Sequence, residues 1–311
     1  MIASRSPVED DRLRAGERLW VSFQRTLRIP EDGRTYPLPP GFGRFPLRRC
    51  VDHASLLPRA WRNDLFIPMY RREALWIGFE GTWWKPNVVK VGVGGVDAVA
   101  GKEWNEELSA TPQNYLVVPD QPWLDGINAG DGWVRQFVAM PMGEGYSVEA
   151  QITGTEHHGG IQILAFEPKA GRFPDQPPPV EASGLDIMAT PIPGQMAIAA
   201  GGKVRQKIYP DSYGIGAWDP EQRTSFVVHL IPSEEFTAIT GERMPPTPVD
   251  AAAYTAAGLP WFELYDEDLS SVAAPEALAR IKSVRELEDR EPDQNVDVNE
   301  SQTRRLRREH R

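Results

Sequence analysis

The chain contains 311 residues, of which 41% are hydrophobic and 25% are charged, a composition typical of a folded globular protein. Lysine and arginine total 34 against 44 aspartate and glutamate residues, which gives a net charge of −10. These values exclude a disordered chain, a disulfide-stapled mini-protein and a multi-pass membrane protein. The acidic balance also disfavours nonspecific binding to nucleic acid or to anionic membrane surfaces, because both carry phosphates.

No segment has the composition of a membrane span or of a secretory leader. The first twenty residues lack an apolar core of the signal-peptide type, and no uncharged apolar stretch reaches about 18 residues. The only cysteine, Cys50, cannot form an intrachain disulfide, and because no motif surrounds it, it is predicted to be a half-buried apolar residue rather than a reactive thiol. We therefore expect a cytoplasmic protein.

Alternating apolar and polar residues predict many strands. Residues 19–27 alternate over a long stretch, whereas the proline-rich segment 35–49 is predicted to be a rigid extended loop. Two Gly-Gly pairs, Gly94-Gly95 and Gly201-Gly202, predict tight hairpins, because such turns need positive φ. Further strands are predicted at 75–79, 89–93, 115–119, 133–140, 146–153, 159–168 and 224–231.

Helix signals are few and come late in the chain. Segment 233–241 begins with a serine and two acids and ends with a glycine, as a short helix does. A second helix is predicted to follow Thr247 as its N-cap and to end at Gly258. A third is predicted from residue 275, with apolar residues recurring on one face as far as residue 287.

This pattern predicts a mainly β fold, an antiparallel β-sandwich or open barrel with a few short C-terminal helices. Residues 1–16 are predicted to be a flexible lead-in and residues 17–284 a single β-rich unit. A proline-rich stretch at 170–184 is the candidate seam within that unit. Residues 285–311 contain few apolar side chains and are predicted to form a disordered charged tail, whose basic end is a candidate partner-binding patch.

A search for motifs that carry known chemistry excludes several enzyme classes. The glycine-rich run of residues 91–101 lacks the third glycine of the dinucleotide fingerprint, since Asp97 stands in its place. The sequence has no phosphate-binding loop, no G-x-S-x-G elbow, no H-E-x-x-H and no C-x-x-C pair. No cofactor is predicted.

The histidines give a weak signal for a metal site. His157 and His158 lie side by side in a predicted turn, so their side chains point to opposite sides. One of them could join Glu149 and His229 on separate strands around a metal. The spacing carries no metal signature, however, and no metal site is predicted.

Carboxylates beside aromatic residues mark the most site-like loops. Asp120 and Asp125 flank Trp123 in one loop, and Glu144 and Glu149 lie in the next. Paired carboxylates can cleave a sugar bond, and aromatic rings stack on sugars. Aspartates also favour turns, and tryptophans favour cores, without any catalytic role. These five residues are the predicted ligand-binding set, and no catalytic residue is assigned.

Several stretches together resemble a family of uncharacterised bacterial and fungal proteins of about this length. They include FQRTLRIPEDGRTYPLPPGFGRFPL, FIPMYRREALWIGF, YLVVPDQPWLDGI, VRQFVAMPMGEGYSVEAQITG, HHGGIQI and PWFELYDED. The resemblance spans roughly residues 22–285. It implies that the chain is one evolutionary unit, and it assigns neither an activity nor any site residue.

Three hypotheses about function follow from the sequence. The first is a non-enzymatic β-rich protein that recognises a small molecule or a protein partner, with a homo-oligomer as a candidate assembly. The second is a hydrolase of glycosidase type that uses the carboxylates of the two loops. The third is a metal-dependent enzyme that uses His157 or His158. Whether the chain is an enzyme stays open.

Overall fold

The computed structural model describes residues 6–130, 132–176, 196–244, 246–247, 250–263, 270–294 and 296–306. Strands dominate these residues. They are β1 (Val8–Glu9), β2 (Arg12–Arg14), β3 (Trp20–Thr26), β4 (Thr35–Tyr36), β5 (Gly41–Arg44), β6 (Arg48–Arg49), β7 (Leu65–Met69), β8 (Ala74–Glu80), β9 (Asn87–Val93), β10 (Val96–Asp97), β11 (Leu116–Val118), β12 (Trp123–Leu124), β13 (Gly126–Gly130), β14 (Trp133–Pro141), β15 (Ile161–Pro168), β16 (Met196–Arg205), β17 (Trp218–Pro232), β18 (Trp261–Glu263) and β19 (Thr303–Arg305). Five short helices accompany them: α1 (Val148–Thr153), α2 (Ser233–Thr240), α3 (Ala251–Ala256), α4 (Glu276–Ala279) and α5 (Val284–Leu287).

Seventeen of the strands form one hydrogen-bonded network that divides into two groups. The first group is built around β3, β8, β14 and β16, and the second around β7, β17, β15 and β9. Among the strands of the described residues, one residue pair, Met196 with Leu230, joins the two groups. Most pairings are antiparallel, and β7 with β17 and β4 with β16 are parallel exceptions. The predicted mainly β fold with few short helices is confirmed.

One large apolar cluster collects side chains from both groups of strands. Along β9, for example, Val89, Val91 and Val93 belong to this core, whereas Val88 packs with Trp218 in a separate cluster. This alternation follows from the period of two along a strand. Helices cover part of the strand faces that point away from this core. Phe236 of α2 packs on the second group of strands, and Val284 of α5 packs on the first.

The two Gly-Gly pairs have different structures. Gly94 and Gly95 have φ of 57° and 72° and connect β9 to β10 as the predicted hairpin. Gly201 and Gly202 instead lie inside the continuous strand β16, so the prediction of a second hairpin is wrong. If a residue with a side chain replaced Gly202, its Cβ atom would lie 2.6 Å from the carbonyl oxygen of Pro30, which is too close. This pair is therefore needed for close backbone approach, the other use of glycine in strands.

Residues 146–153, predicted as a strand, form helix α1 instead. The Ser147 hydroxyl accepts a hydrogen bond from the backbone of Ala150, and Gly154 ends the helix with φ of 76°. A serine N-cap and a left-handed glycine are the ordinary helix end signals. They outweigh the alternation of apolar residues between them.

The C-terminal helices differ in detail from their predictions. Helix α2 ends at Gly241 as predicted, but α3 starts only at residue 251, capped by Asp250 rather than by Thr247. The third predicted helix is broken into α4 and α5, because Ser283 and Glu286 form a capping box that starts a new helix. The segment predicted as a rigid extended loop, 35–49, contains the short strands β4, β5 and β6.

Described segments near both ends of the chain make contacts with the β-rich body. Within the predicted lead-in, Leu13 of β2 is buried. Within the predicted tail, the backbone N–H of Arg285 donates to Glu31 (2.7 Å), Val296 is buried, and β19 pairs with β18. The predicted seam at 170–184 lies partly outside the described residues. No helix among the described residues is long and apolar enough to cross a membrane.

We expect truncation after Ser283 to lower the free energy of unfolding by more than about 2 kcal/mol. The deletion removes the buried side chains of Val284 and Val296, and burial of one such side chain contributes about 1.5–3 kcal/mol. Urea denaturation of the truncated and full chains measures the change. Val284→Ala serves as the internal control and should show part of the same loss. An unchanged denaturation midpoint would support the disordered tail predicted from the sequence.

Candidate functional site

The five predicted site residues do not converge on one place. Trp123 and Asp125 line a common cleft on the outer face of the first strand group. Asp120 lies half-buried in the connection between β11 and β12. Glu144 and Glu149 belong to the segment after β14, where each makes its own set of contacts. The predicted set therefore separates into a cleft pair and three residues elsewhere.

Glu144 forms a surface ion pair. Both of its carboxylate oxygens accept hydrogen bonds from Arg71, at 2.9 and 2.8 Å. Both side chains are well exposed, so the pair contributes little to stability. Nothing in this geometry gives Glu144 a role in binding.

Glu149 organises the turn that contains the two adjacent histidines. Its buried carboxylate accepts hydrogen bonds from the backbone N–H groups of His157, His158 and Gly159, and it contacts Nδ1 of His158 at 2.9 Å. Burial alone would raise the pKa of Glu149, but these donors outweigh it and hold the pKa below its ordinary value. An ionised carboxylate used in this way stabilises the turn and is not available to a substrate.

Two tryptophans form the floor of the cleft that holds Asp125. Strand β12 pairs with β8, with Trp123 opposite Gly78, and the rings of Trp76 and Trp123 lie 6.1 Å apart at 58°. A Cβ on Gly78 would lie 3.0 Å from the Trp76 ring, so the glycine leaves room for that ring. We call this site the tryptophan cleft.

The walls of the tryptophan cleft are apolar and come from distant parts of the chain. One wall is the segment 38–41, which ends at the first residue of β5, and the other is formed by Phe262 of β18 and Leu306 after β19. Backbone hydrogen bonds between Leu38 and Phe262 (2.8 and 3.0 Å) join the two walls. The cleft encloses about 200 Å³, which suits a single ring or a short branched chain.

Asp125 is the one ionisable group among the described residues that line the cleft. The Gln206 side chain holds it from both sides, since its Oε1 accepts from the Asp125 backbone N–H (2.9 Å) and its Nε2 donates to Oδ2 (2.7 Å). Burial raises the pKa of Asp125 to about 7, although hydrogen bonds from the side chains of Trp123 and Gln206 oppose the rise. Near neutral pH this carboxyl group can therefore either donate or accept a proton.

Trp76 was not among the predicted site residues. Its indole nitrogen is buried and has no hydrogen-bond partner among the described residues, which is unusual because buried donors are nearly always satisfied. The alternation of β8 contains the signal that could have identified it. Leu75 and Ile77 face the core, so a tryptophan between them must lie on the opposite face.

Two of the further cavities bear on anion or metal binding. The larger, of about 380 Å³, is lined by Arg28, Arg71 and Arg72 among others, but each of these guanidinium groups is paired with a glutamate. The smaller, of about 50 Å³, is lined by His157, His158 and His229. The described residues contain no group of three or more His, Cys, Asp or Glu side chains that could hold a metal ion.

Comparison with known proteins adds no relative. No family model matches the chain, and neither the curated proteins nor the solved structures contain a significant match.

Proposed function

We propose that the protein is a non-enzymatic binding protein that takes a small uncharged ligand in the tryptophan cleft. The observation that carries the proposal is the indole N–H of Trp76, which has no hydrogen-bond partner among the described residues and lies beside the two apolar walls. A ligand that presents an apolar ring and one hydrogen-bond acceptor would bury the ring and satisfy that donor. A ligand anion is disfavoured, because the net charge of −10 and the ionised form of Asp125 would repel it.

The chemistry of the cleft favours recognition over hydrolysis. Glycosidases of the usual kind need two carboxyl groups on either side of the bond that is cleaved. The described lining of the cleft contains Asp125 alone, since Glu144 pairs with Arg71 and Glu149 holds the histidine turn. A cytoplasmic location and assembly as a homo-oligomer remain parts of the proposal, and analytical ultracentrifugation tests the assembly.

We expect cyclohexanone to bind in the cleft and Trp76→Phe to weaken it roughly two- to tenfold. The substitution keeps an aromatic ring but removes the N–H donor, and a neutral hydrogen bond contributes about 0.5–1.5 kcal/mol. Ligand-observed NMR titration measures the dissociation constants. Cyclohexene, which has a similar ring but no acceptor, should bind both proteins with the same affinity.

Trp83→Phe is the matched control, because Trp83 lies in the turn after β8 and is exposed rather than part of the cleft. This variant should bind cyclohexanone as the wild type does. Two results would contradict the proposal. One is the absence of saturable binding of either probe, and the other is an equal effect of Trp76→Phe and Trp83→Phe.

A further inference from the structure

The small cavity beside the histidine turn has donors that suit a metal ion rather than an organic ligand. Its volume of about 50 Å³ holds an ion or a water molecule. We call it the histidine cavity; its lining includes Trp61, Met142, Met196, His157, His158 and His229. It is separate from the tryptophan cleft, with which it shares no lining residue.

Strand register brings the two histidines to one corner of the fold. Ile161 of β15 pairs with Val228 of β17, so the preceding residue, Gly160, lies beside His229. A Cβ on Gly160 would lie 2.6 Å from the Val228 carbonyl oxygen and 3.4 Å from Cα of His229. The turn that contains His158 is therefore pressed directly against the strand that contains His229.

A thioether lies against the same turn. Met142 follows β14, and a Cβ on Gly159 would lie 2.6 Å from its Sδ atom. The sulfur atom of Met142 thus packs against Gly159, the residue after His158. Methionine sulfur is a soft ligand, which favours monovalent copper over hard divalent cations.

Each histidine is oriented by a carboxylate. Nδ1 of His158 lies 2.9 Å from Glu149, and Nε2 of His229 lies 2.9 Å from Asp64. A ring nitrogen that faces a carboxylate carries the proton, which leaves the other nitrogen free to bind a metal. Metal-binding histidines almost always have such a carboxylate or carbonyl partner on the second nitrogen.

The surroundings of His229 fix its ring as well. The Trp61 indole stacks on it with ring centres 3.7 Å apart and planes 9° apart. His158, by contrast, has a side chain that is 68% exposed, so an ion can reach the cavity from solvent. One ligand is thus held in place and the other is accessible.

We propose that the histidine cavity binds one Cu(I) ion through Nε2 of His158, Nδ1 of His229 and Sδ of Met142. Two imidazoles and a thioether supply soft, uncharged donors of the kind this ion prefers. Zinc is a poorer fit, because its sites usually have four ligands that include thiolates, carboxylates or a third imidazole. The two carboxylates serve to orient the histidines and are not ligands.

Anaerobic competition between the full-length untagged chain and the chromogenic Cu(I) chelator bicinchoninate tests the proposal. We expect the wild type to withdraw one equivalent of Cu(I) from the chelator. Met142→Leu and His158→Ala should each weaken the binding about tenfold or more. Met142→Leu nearly conserves side-chain volume, so this variant should fold. It therefore tests the site without a substitution at the buried His229, which could prevent folding.

Two control variants test a histidine and a thiol that do not line the cavity. His53→Ala removes a histidine that lies outside the cavity, where it contacts Phe66, and Cys50→Ala removes the only thiol in the chain. Both should retain wild-type binding, and X-ray absorption should report one sulfur and two nitrogen ligands. The proposal is overturned if no Cu(I) is retained, or if Cys50→Ala abolishes the binding and Met142→Leu leaves it unchanged.

Discussion

Glu73→Gln should lower the free energy of unfolding by about 3–5 kcal/mol, because it leaves the buried Arg25 without a counterion. The guanidinium group of Arg25 donates to Oε1 of Glu73 at 2.8 and 2.6 Å, and both side chains are almost fully buried. The second carboxylate oxygen accepts from the backbone N–H of Tyr70 at 2.8 Å. Urea denaturation at neutral pH measures the loss.

The exposed pair Glu276–Arg280 provides the matched control. Its side chains are more than three-quarters exposed, so Glu276→Gln should cost less than about 0.5 kcal/mol. The double variant Arg25→Met/Glu73→Leu should be far more stable than Glu73→Gln alone, since no unpaired charge remains. Equal losses for Glu73→Gln and Glu276→Gln would contradict the described burial.

Asp125 should make the protein less stable as the pH rises from about 4 to about 7. Its pKa is about 7 in the folded chain against an ordinary value of 3.8, so between these values the folded chain holds a proton that the unfolded chain has released. The contribution of the protonated Asp125 carboxyl group to the free energy of unfolding is therefore complete below the unfolded-state pKa. It decreases as the pH rises and is lost once the pH passes the folded-state pKa. The full difference corresponds to about 4 kcal/mol.

The measurement is the difference in unfolding free energy between the wild type and Asp125→Asn at a series of pH values. In this difference the contributions of the other titrating groups cancel. The difference should change in favour of the variant as the pH rises between the two pKa values of Asp125. Asp297→Asn alters a carboxylate that is 92% exposed, and its difference from the wild type should stay nearly constant. A flat difference for Asp125→Asn would show that its carboxyl group is hydrated rather than buried.

Local sequence patterns predicted the strands better than their connections. Alternation located β3, β8 and β14, because one face of each strand must enter the core. The same reasoning failed at residues 146–153, where Ser147 and Gly154 set the ends of a helix. It also failed at Gly201-Gly202, because close approach to Pro30 is a tertiary contact with no local signature.

The candidate site shows the same limit. Trp123 and Asp125 were predicted together because they are neighbours in sequence, and the structure does place them in one cleft. Trp76 and Phe262 reach that cleft through the pairing of β8 with β12 and through a distant C-terminal strand. Residues that far apart along the chain become neighbours only through the fold. Conversely, Glu149 resembled a site residue in sequence but holds a turn.

The C-terminal wall of the tryptophan cleft links binding to the attachment of the last part of the chain. Phe262 and Leu306 belong to segments that meet in the parallel pair β18–β19, outside the large strand network. A molecule that contacts both walls binds only when this pair is docked, so its binding free energy adds to the free energy of docking. Occupancy of the cleft would therefore slow proteolysis of the C-terminal segment, and cleavage of that segment would release the occupant.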